Sequence, residues 1–329
     1  MKAIALLSGG LDSTLAIKLI KDQGIHVTAL NFTSPFCTCT AKNSSCSAAA
    51  AAAKRMDVPL KVIAKGMDYF KIVENPKFGY GSCMNPCIDC RIYIFKKAKE
   101  LMENEGASFL ISGEVVGQRP MSQKKITLAC IEREAGVEGI LLRPLSAKIL
   151  KPTIPEKEGI VDRSKLLGIN GRGRRKQIEM ADEEGIDYPC PAGGCLLTDK
   201  YIARRLKDLF AHKPGYTIDD IRLLRYGRHI RISPGLKIVV AKDEEDAAKI
   251  RNHFNEKTDV LIECVAPQGP YVLMKDFQGT IDRKVLAVTR RYSDAKNGES
   301  LAVVCRGVFQ GEYLVSDTIS DEELSSIAI

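Results

Sequence analysis

The chain has 329 residues, of which 45% are hydrophobic and 27% charged, with a formal net charge of +8. That length leaves room for two domains with separate cores, and the composition is that of an ordinary soluble protein. The apolar runs are too short to cross a bilayer and the N-terminus opens straight into a strand, so no membrane span or signal peptide is expected and the expected compartment is the cytoplasm. Positive charge permits a polyanionic partner without requiring one. Eleven cysteines in an intracellular chain point to metal or redox chemistry rather than a disulfide framework. Tryptophan is absent, so base stacking would rest on Tyr, Phe or Arg.

Residues 3–7 are apolar and read as a buried strand, followed by Ser8-Gly9-Gly10-Leu11-Asp12-Ser13-Thr14 and a helix over 13–22. A strand, a glycine turn and a helix N-terminus together make an anion site. Glycines let backbone N–H groups approach a phosphate, and the helix dipole favours negative charge there. Ser8 and Ser13 add hydroxyl donors. Asp12 makes sense beside phosphates only if it orients a donor or holds Mg²⁺. The loop lacks the lysine of G-x-x-x-x-G-K-[ST], and G-x-G-x-x-G occurs nowhere in the chain. An ordinary strand-to-helix turn is the alternative, and it has no use for two serines and an aspartate.

Next come a strand over 26–32, the cysteines Cys37, Cys39 and Cys46, a helix over 47–56 and a strand over 60–64. Strands alternating with helices imply a parallel, doubly wound sheet with ligands at the carboxyl ends of the strands. The turn-rich segment 75–90 contains Cys83 and closes on Cys87-x-x-Cys90, which opens a helix over 91–105. Two thiolates at that spacing at a helix start can bind a metal or cluster. A redox dithiol and a structural pair are the alternatives, while a zinc ribbon lacks its second Cys-x-x-Cys.

A strand over 108–112 runs into Gly113-Glu114-Val-Val-Gly117-Gln118-Arg119, another polar strand exit close to the first loop, and a fifth strand is expected at 140–145. The run Arg172, Arg174, Arg175 and Lys176 is a solvated face or a contact for a phosphate backbone, and a helix follows it to residue 185. Cys195 follows Cys190 and a Gly193-Gly194 pair and is a third ligand candidate. From residue 200 the texture becomes α+β. Helices are expected at 201–211 and 217–225, strands at 230–232, 237–241, 259–264 and 271–274, and a helix capped by Asp243 through 255. Further elements follow at 280–292, 300–305 and 312–315. Arg222, Arg225, Arg228 and Arg231 form a basic series before the first of these strands, and no strong catalytic constellation occurs in this half.

Ser8–Ser13 resembles the pyrophosphate loop of the N-type ATP pyrophosphatases, which split ATP into AMP and pyrophosphate. Together with Ser112-Gly-Glu114-Val-Val-Gly-Gln118, Ser122-Gln123 and Leu142-Arg143-Pro-Leu145, it is similar to the adenylation domain of tRNA 4-thiouridine synthetases. Asn85-Pro-Cys87-x-x-Cys90 is similar to the N-P-C-x-x-C of tRNA 2-thiouridylases, and Gly227–Gly235 with the strand after it resembles the RNA-binding module of NFACT proteins.

The resemblance implies a PP-loop thiolation domain over 1–199, a doubly wound α/β fold, and a smaller α+β RNA-binding domain over 200–329. It implies an enzyme that adenylates a tRNA uridine and inserts sulfur, with 4-thiouridine the expected product and 2-thiouridine the alternative. A non-enzymatic RNA-binding protein, or a pyrophosphatase acting on a small molecule, are rivals of other classes. ATP would be held by Ser8, Gly9, Gly10, Asp12, Ser13, Thr14, Asn31, Gly113 and Gln118, with Mg²⁺. Cys87, Cys90 and Cys195 match the triad that holds a [4Fe-4S] cluster in cluster-dependent thiolases, where the open iron presents sulfide. The other partners implied are tRNA, gripped by the two basic series, and sulfide or a sulfur-donor protein. The loop begins at residue 8 and no rhodanese-like stretch follows, so the C-terminal module is expected to replace the usual tRNA-binding extension.

Overall fold

In β1 (Lys2–Leu6) Ala3 and Ala5 pack to one side and Ile4 to the other, all fully buried, so a sheet built on this strand must be covered on both faces. The structure, a computed structural model, describes residues 1–38, 47–188 and 195–329. It divides into two units, Met1–Asp199 and Lys200–Ile329. The first continues with α1 (Leu11–Lys21), β2 (His26–Thr33), α2 (Ser47–Arg55), β3 (Leu60–Ala64), α3 (Met67–Glu74), α4 (Cys87–Asn104), β4 (Phe109–Ser112), α5 (Lys125–Ala135), β5 (Leu141–Leu142), α6 (Ile154–Lys157) and α7 (Arg175–Glu183).

The five strands are parallel, in the order β3-β2-β1-β4-β5, with Ala3 opposite Val27 on one side and Phe109 on the other. The sheet is thus the doubly wound kind expected from strand–helix alternation. One face packs Val27, Ala29, Phe109 and Ile111 against α1, α2 and α7; the other packs Leu30, Leu110 and Leu141 against α4 and α5. The chain reverses direction across the sheet between β1 and β4, and at such a switch point the loops leaving the two strands diverge to open a crevice.

Two details differ from the sequence reading. Helix α4 starts at Cys87 itself, not at residue 91, so both thiols of the Cys-x-x-Cys lie in its first turn. Helix α5 occupies a stretch read as loop; it buries Leu128, Ile131 and Ala135 and ends on Gly136 in the left-handed region.

The second unit is α8 (Lys200–His212), α9 (Ile218–Leu223), β6 (Arg228–Ser233), β7 (Leu236–Val240), α10 (Glu244–Arg251), β8 (Val260–Ala266), β9 (Val272–Met274), α11 (Arg283–Arg291), β10 (Leu301–Gly307), β11 (Gly311–Val315) and α12 (Asp321–Ile327). Its strands form an antiparallel sheet in the order β11-β10-β8-β9-β7-β6. Helix α11 buries Val285 and Val288 against Val260, Ile262 and Val303, while α10 lies with Val239 and Leu273. Asp243 accepts the Asp246 N–H at 2.8 Å, the cap the sequence suggests, although the helix stops at Arg251. Among the described residues no helix is long and apolar enough to cross a membrane.

Candidate functional site

The loop between β1 and α1 is shaped by two glycines. Gly9 has φ +80°, and a Cβ there would lie 2.5 Å from the backbone of Ala48 and Ala49 at the start of α2. Gly113, leaving β4, would place a Cβ 2.6 Å from the Asp12 carbonyl carbon and oxygen and from the Ser13 Cα. The exits of β1 and β4 therefore meet backbone to backbone, which only glycine allows. Ser13 Oγ donates to the Gly10 carbonyl at 2.9 Å and lies 3.1 Å from Ser8 Oγ; Thr14 Oγ1 also donates to Gly10, at 3.1 Å. Gly10 is the N-cap of α1 and brings no side chain to its first-turn N–H groups, so they remain suited to an anion.

Asp12 is the hub of the crevice. Gln118 Nε2 donates to its Oδ2 at 2.9 Å, Arg174 Nη2 approaches the same oxygen at 3.3 Å, and Gln177 Nε2 reaches Oδ1 at 3.5 Å. Gln177 is fully buried, and its amide oxygen, like those of Gln118 and Asn31, has no partner. These three oxygens are acceptors facing the sheet's carboxyl edge without a donor, as a ligand-binding surface requires. Asn31 also ties β2 to the loop, through Nδ2 to the Leu7 carbonyl at 2.7 Å. Behind the crevice, buried Arg143 donates to Glu114 at 3.0 Å and pairs with Glu132, and Arg91 lies 3.4 Å from Glu114. This network fixes the β4 exit, since each of these buried charges has an opposite one beside it.

Arg174 thus belongs with Asp12, whereas Arg172, Arg175 and Lys176 are exposed, with Arg175 paired to Glu179 at 2.8 Å. Gln177 had no signal in the sequence beyond its place in the basic run. An open groove at the amino ends of the strands, lined by Lys2, His26, Lys61 and Glu105, lies at the opposite end of the sheet, and its lysines pair with Glu105.

Three cysteine-bearing segments meet at the sheet's carboxyl edge. Leu196 N–H donates to the Phe36 carbonyl at 2.8 Å, and Met84 N–H donates to the Leu197 carbonyl at 3.1 Å. The 195–198 segment is thereby threaded between the turn after β2 and the approach to α4. Asp89, inside the Cys-x-x-Cys, accepts the Lys77 and Phe78 N–H groups at 3.0 and 3.1 Å and ties that approach to the helix. Lys65 Nζ lies 3.1 Å from Cys90 Sγ and 4.1 Å from the centre of the Tyr69 ring, and Tyr69 Oη donates to the same sulfur at 3.5 Å. Burial opposes ionisation of Cys90, but Lys65, Tyr69 and Arg91 outweigh it and hold the thiol below its ordinary value. Burial and the neighbouring Cys90 push the Cys87 thiol up, and burial pushes Cys195 up to about 11.

Among the described residues no three His, Cys, Asp or Glu side chains stand together closely enough to hold a metal ion. Cys87, Cys90 and Cys195 fit an iron–sulfur cluster in donor chemistry, as soft thiols on one edge. In this structure, however, Cys195 faces Cys37 across an antiparallel bridge. Cys39, Cys46, Cys190 and the Gly193-Gly194 pair lie outside the described residues.

In the second unit the basic series splits. Arg222 is exposed, Arg225 half-buried, and Arg228 stacks over Tyr292 at 4.8 Å. Arg231 is clamped to Asp208 through two bonds of 2.9 and 2.7 Å, with Lys237 Nζ on the same carboxylate at 2.9 Å. Its charge is neutralised inside the unit, which leaves it little to offer a phosphate.

Residues 227–326 match the NFACT protein RNA binding domain. The chain is 29% identical over 130 residues to tRNA-specific 2-thiouridylase MnmA of Petrotoga mobilis, covering 34% of this chain and 35% of that protein. It is 30% identical over 123 residues to the probable tRNA sulfurtransferase of Methanosarcina acetivorans, covering 35% of this chain and 28% of that one. The chain spans about a third of the length of these curated relatives. A solved 4-thiouridine synthetase–RNA complex with bound ATP has a TM-score of 0.41 at 20% identity, covering 68% of this chain and 52% of that one. Residues 1–171, more than half of the 329, match the family described as thiamine biosynthesis protein (ThiI), and the chain belongs to that family.

Proposed function

We propose that this chain is an ATP-dependent tRNA sulfurtransferase that adenylates a uridine carbonyl oxygen and replaces it with sulfur, giving 4-thiouridine. The observation that carries the reading is Asp12, set at the start of α1 in a glycine loop and met by Gln118, Arg174 and Gln177. A carboxylate in an anion site needs cations or donors around it, and a Mg²⁺-bound triphosphate supplies the charge balance that the loop lacks. The first-turn N–H groups of α1, with Ser8 and Ser13, would bind the departing pyrophosphate. Arg174 would turn from Asp12 to the phosphates as Asp12 takes Mg²⁺.

The uridine oxygen attacks the α-phosphorus, pyrophosphate leaves, and the ring loses its N3 proton. Sulfide then adds at the same carbon, and AMP leaves with the oxygen. Cys87, Cys90 and Cys195 would hold a [4Fe-4S] cluster, whose fourth iron supplies a site for sulfide. Lys65 keeps Cys90 in the thiolate form that ligation needs. The exposed cations Arg172, Arg175, Lys176 and Arg222 would contact tRNA phosphates, together with the NFACT-like unit. A cytoplasmic site of action follows from the tRNA substrate. Asn85-Pro-Cys87-x-x-Cys90 and the likeness to a 2-thiouridylase favour 2-thiouridine as a second reading. Nucleoside mass spectrometry of tRNA from a strain lacking the gene tests both: loss of 4-thiouridine supports the first, loss of 2-thiouridine the second, and an unchanged profile opposes both.

A further inference from the structure

We infer that Cys37 and Cys195 are a dithiol pair which a diffusible disulfide oxidises to a cross-strand disulfide, withdrawing Cys195 from iron until the bond is reduced. The first half rests on the bridge alone; the second rests on the cluster reading above.

Cys37 and Cys195 are opposite one another in an antiparallel bridge. Their own backbone groups are engaged elsewhere. Cys37 N–H donates to the Ser34 carbonyl at 3.1 Å, and the Cys195 carbonyl accepts the Thr198 N–H at 2.9 Å. The ladder bond runs instead between their neighbours, from Leu196 N–H to the Phe36 carbonyl at 2.8 Å. This is a non-hydrogen-bonded pair, the kind whose Cα atoms stand about 4.5 Å apart with side chains on the same face. A disulfide requires Cα atoms about 4.4–6.8 Å apart, so the bridge holds the two sulfurs within bonding range without backbone movement. Both side chains are half-buried and neither is in a disulfide, so a small oxidant has access to them. Met84 N–H on the Leu197 carbonyl anchors the far side of the segment, so Cys195 is presented to Cys37 on a fixed backbone.

The chemistry balances with glutathione disulfide as oxidant. One cysteine thiolate attacks it, forming a mixed disulfide and releasing one glutathione. The second cysteine attacks the mixed disulfide and releases another. Two electrons and two protons pass from the protein to the oxidant. A sulfur held in an S–S bond has no thiolate to give to iron, so the Cys37–Cys195 bond and a Cys195 ligand exclude each other.

The test uses the metal-free, full-length chain, treated with glutathione disulfide, alkylated, digested and mapped by mass spectrometry. A linked Cys37–Cys195 peptide is expected, kept in Cys39→Ser and Cys190→Ser, and lost in Cys37→Ser and on reduction with dithiothreitol. A Cys90–Cys195 link instead, or no link to Cys37, overturns the proposal. Anaerobic reconstitution with iron and sulfide provides the second readout. The oxidised wild type should lose iron uptake and regain it on reduction, while Cys37→Ser should take up iron after either treatment. Equal uptake by the oxidised and reduced wild type overturns the exclusion. If the reduced chain takes up no iron while the linked peptide forms, the cluster reading fails and the disulfide stands.

Discussion

Replacing Gly113 by alanine isolates the close approach on which the crevice depends. The new Cβ would sit 2.6 Å from the Asp12 carbonyl carbon and oxygen and from the Ser13 Cα. All three are backbone of α1's first turn, which is held by its own hydrogen bonds and by Ser13 and Thr14 on Gly10. No side-chain rotation relieves such a contact, so either the β4 exit or the start of α1 must shift by a sizeable fraction of an ångström. Overpacking of this kind costs about 1–3 kcal/mol. At about 2–4 °C per kcal/mol for a unit of this size, the first thermal transition should fall by about 2–12 °C. The larger consequence is chemical. Shifting α1 moves Asp12 away from Gln118, Arg174 and Gln177, so tRNA-dependent pyrophosphate release should fall by well over the amount that partial unfolding explains. Gly215→Ala is the control, because a Cβ there meets nothing within 4 Å. Scanning calorimetry and a pyrophosphate assay at a temperature where both variants are folded would decide. A Gly113→Ala protein with unchanged transition and unchanged release would refute the steric argument.

Other expectations follow from single contacts. Asp12→Ala should abolish pyrophosphate release while circular dichroism stays that of the wild type; release at the wild-type rate would remove Asp12 from the chemistry. Burial, with Lys237 and Arg205 adding to it, holds the His229 imidazole well below its ordinary 6.5. The unfolded chain therefore binds a proton that the folded chain refuses, so stability is lost as pH falls below 6.5, by up to about 1.4 kcal/mol per pH unit. His229→Gln should flatten that slope in urea titrations of the second unit's transition, and an unchanged slope would assign it to another group. Arg222→Ala should lower the salt dependence of tRNA binding by about one unit, whereas Arg231→Ala should leave the slope intact and destabilise the second unit by about 1–3 kcal/mol, because Asp208 loses its bidentate partner. Equal salt slopes for the two variants would contradict this division. Any one of Cys87→Ala, Cys90→Ala and Cys195→Ala should lower iron well below about four per chain after anaerobic reconstitution, with ATP binding kept. A full complement in Cys195→Ala would turn attention to Cys190.

The glycine loop was legible because its chemistry is local: an apolar strand, two glycines and a hydroxyl at the helix start lie within a few residues of each other. The parallel sheet was legible for a similar reason, since helices and strands alternate at short spacing. Helix α5 carried its signal too, in Leu128, Ile131 and Ala135 at helical spacing, but the polar loop before it drew attention away. What could not be read was long-range. Arg174 and Gln177 lie in a run whose charge suggests nucleic acid, and only the fold brings them to Asp12. The environment of Cys90 depends on Lys65 at the end of β3 and Tyr69 in a short helix, neither of which stands out in sequence. Arg231 shows the converse: a regular spacing of arginines resembles a binding face until Asp208 is found beside one of them.

The central claim is that ATP and sulfide are spent on a tRNA uridine. Its most direct measurement is anaerobic incubation of the purified full chain with unmodified tRNA, ATP, Mg²⁺ and sulfide, after iron–sulfur reconstitution, followed by mass spectrometry of the nucleosides. The account expects 4-thiouridine to accumulate with AMP and pyrophosphate, and to vanish when ATP is omitted or Asp12 is alanine. Tight tRNA and ATP binding with no thiolated nucleoside and no pyrophosphate would contradict it, and would leave the chain as an RNA-binding protein with a silent nucleotide site.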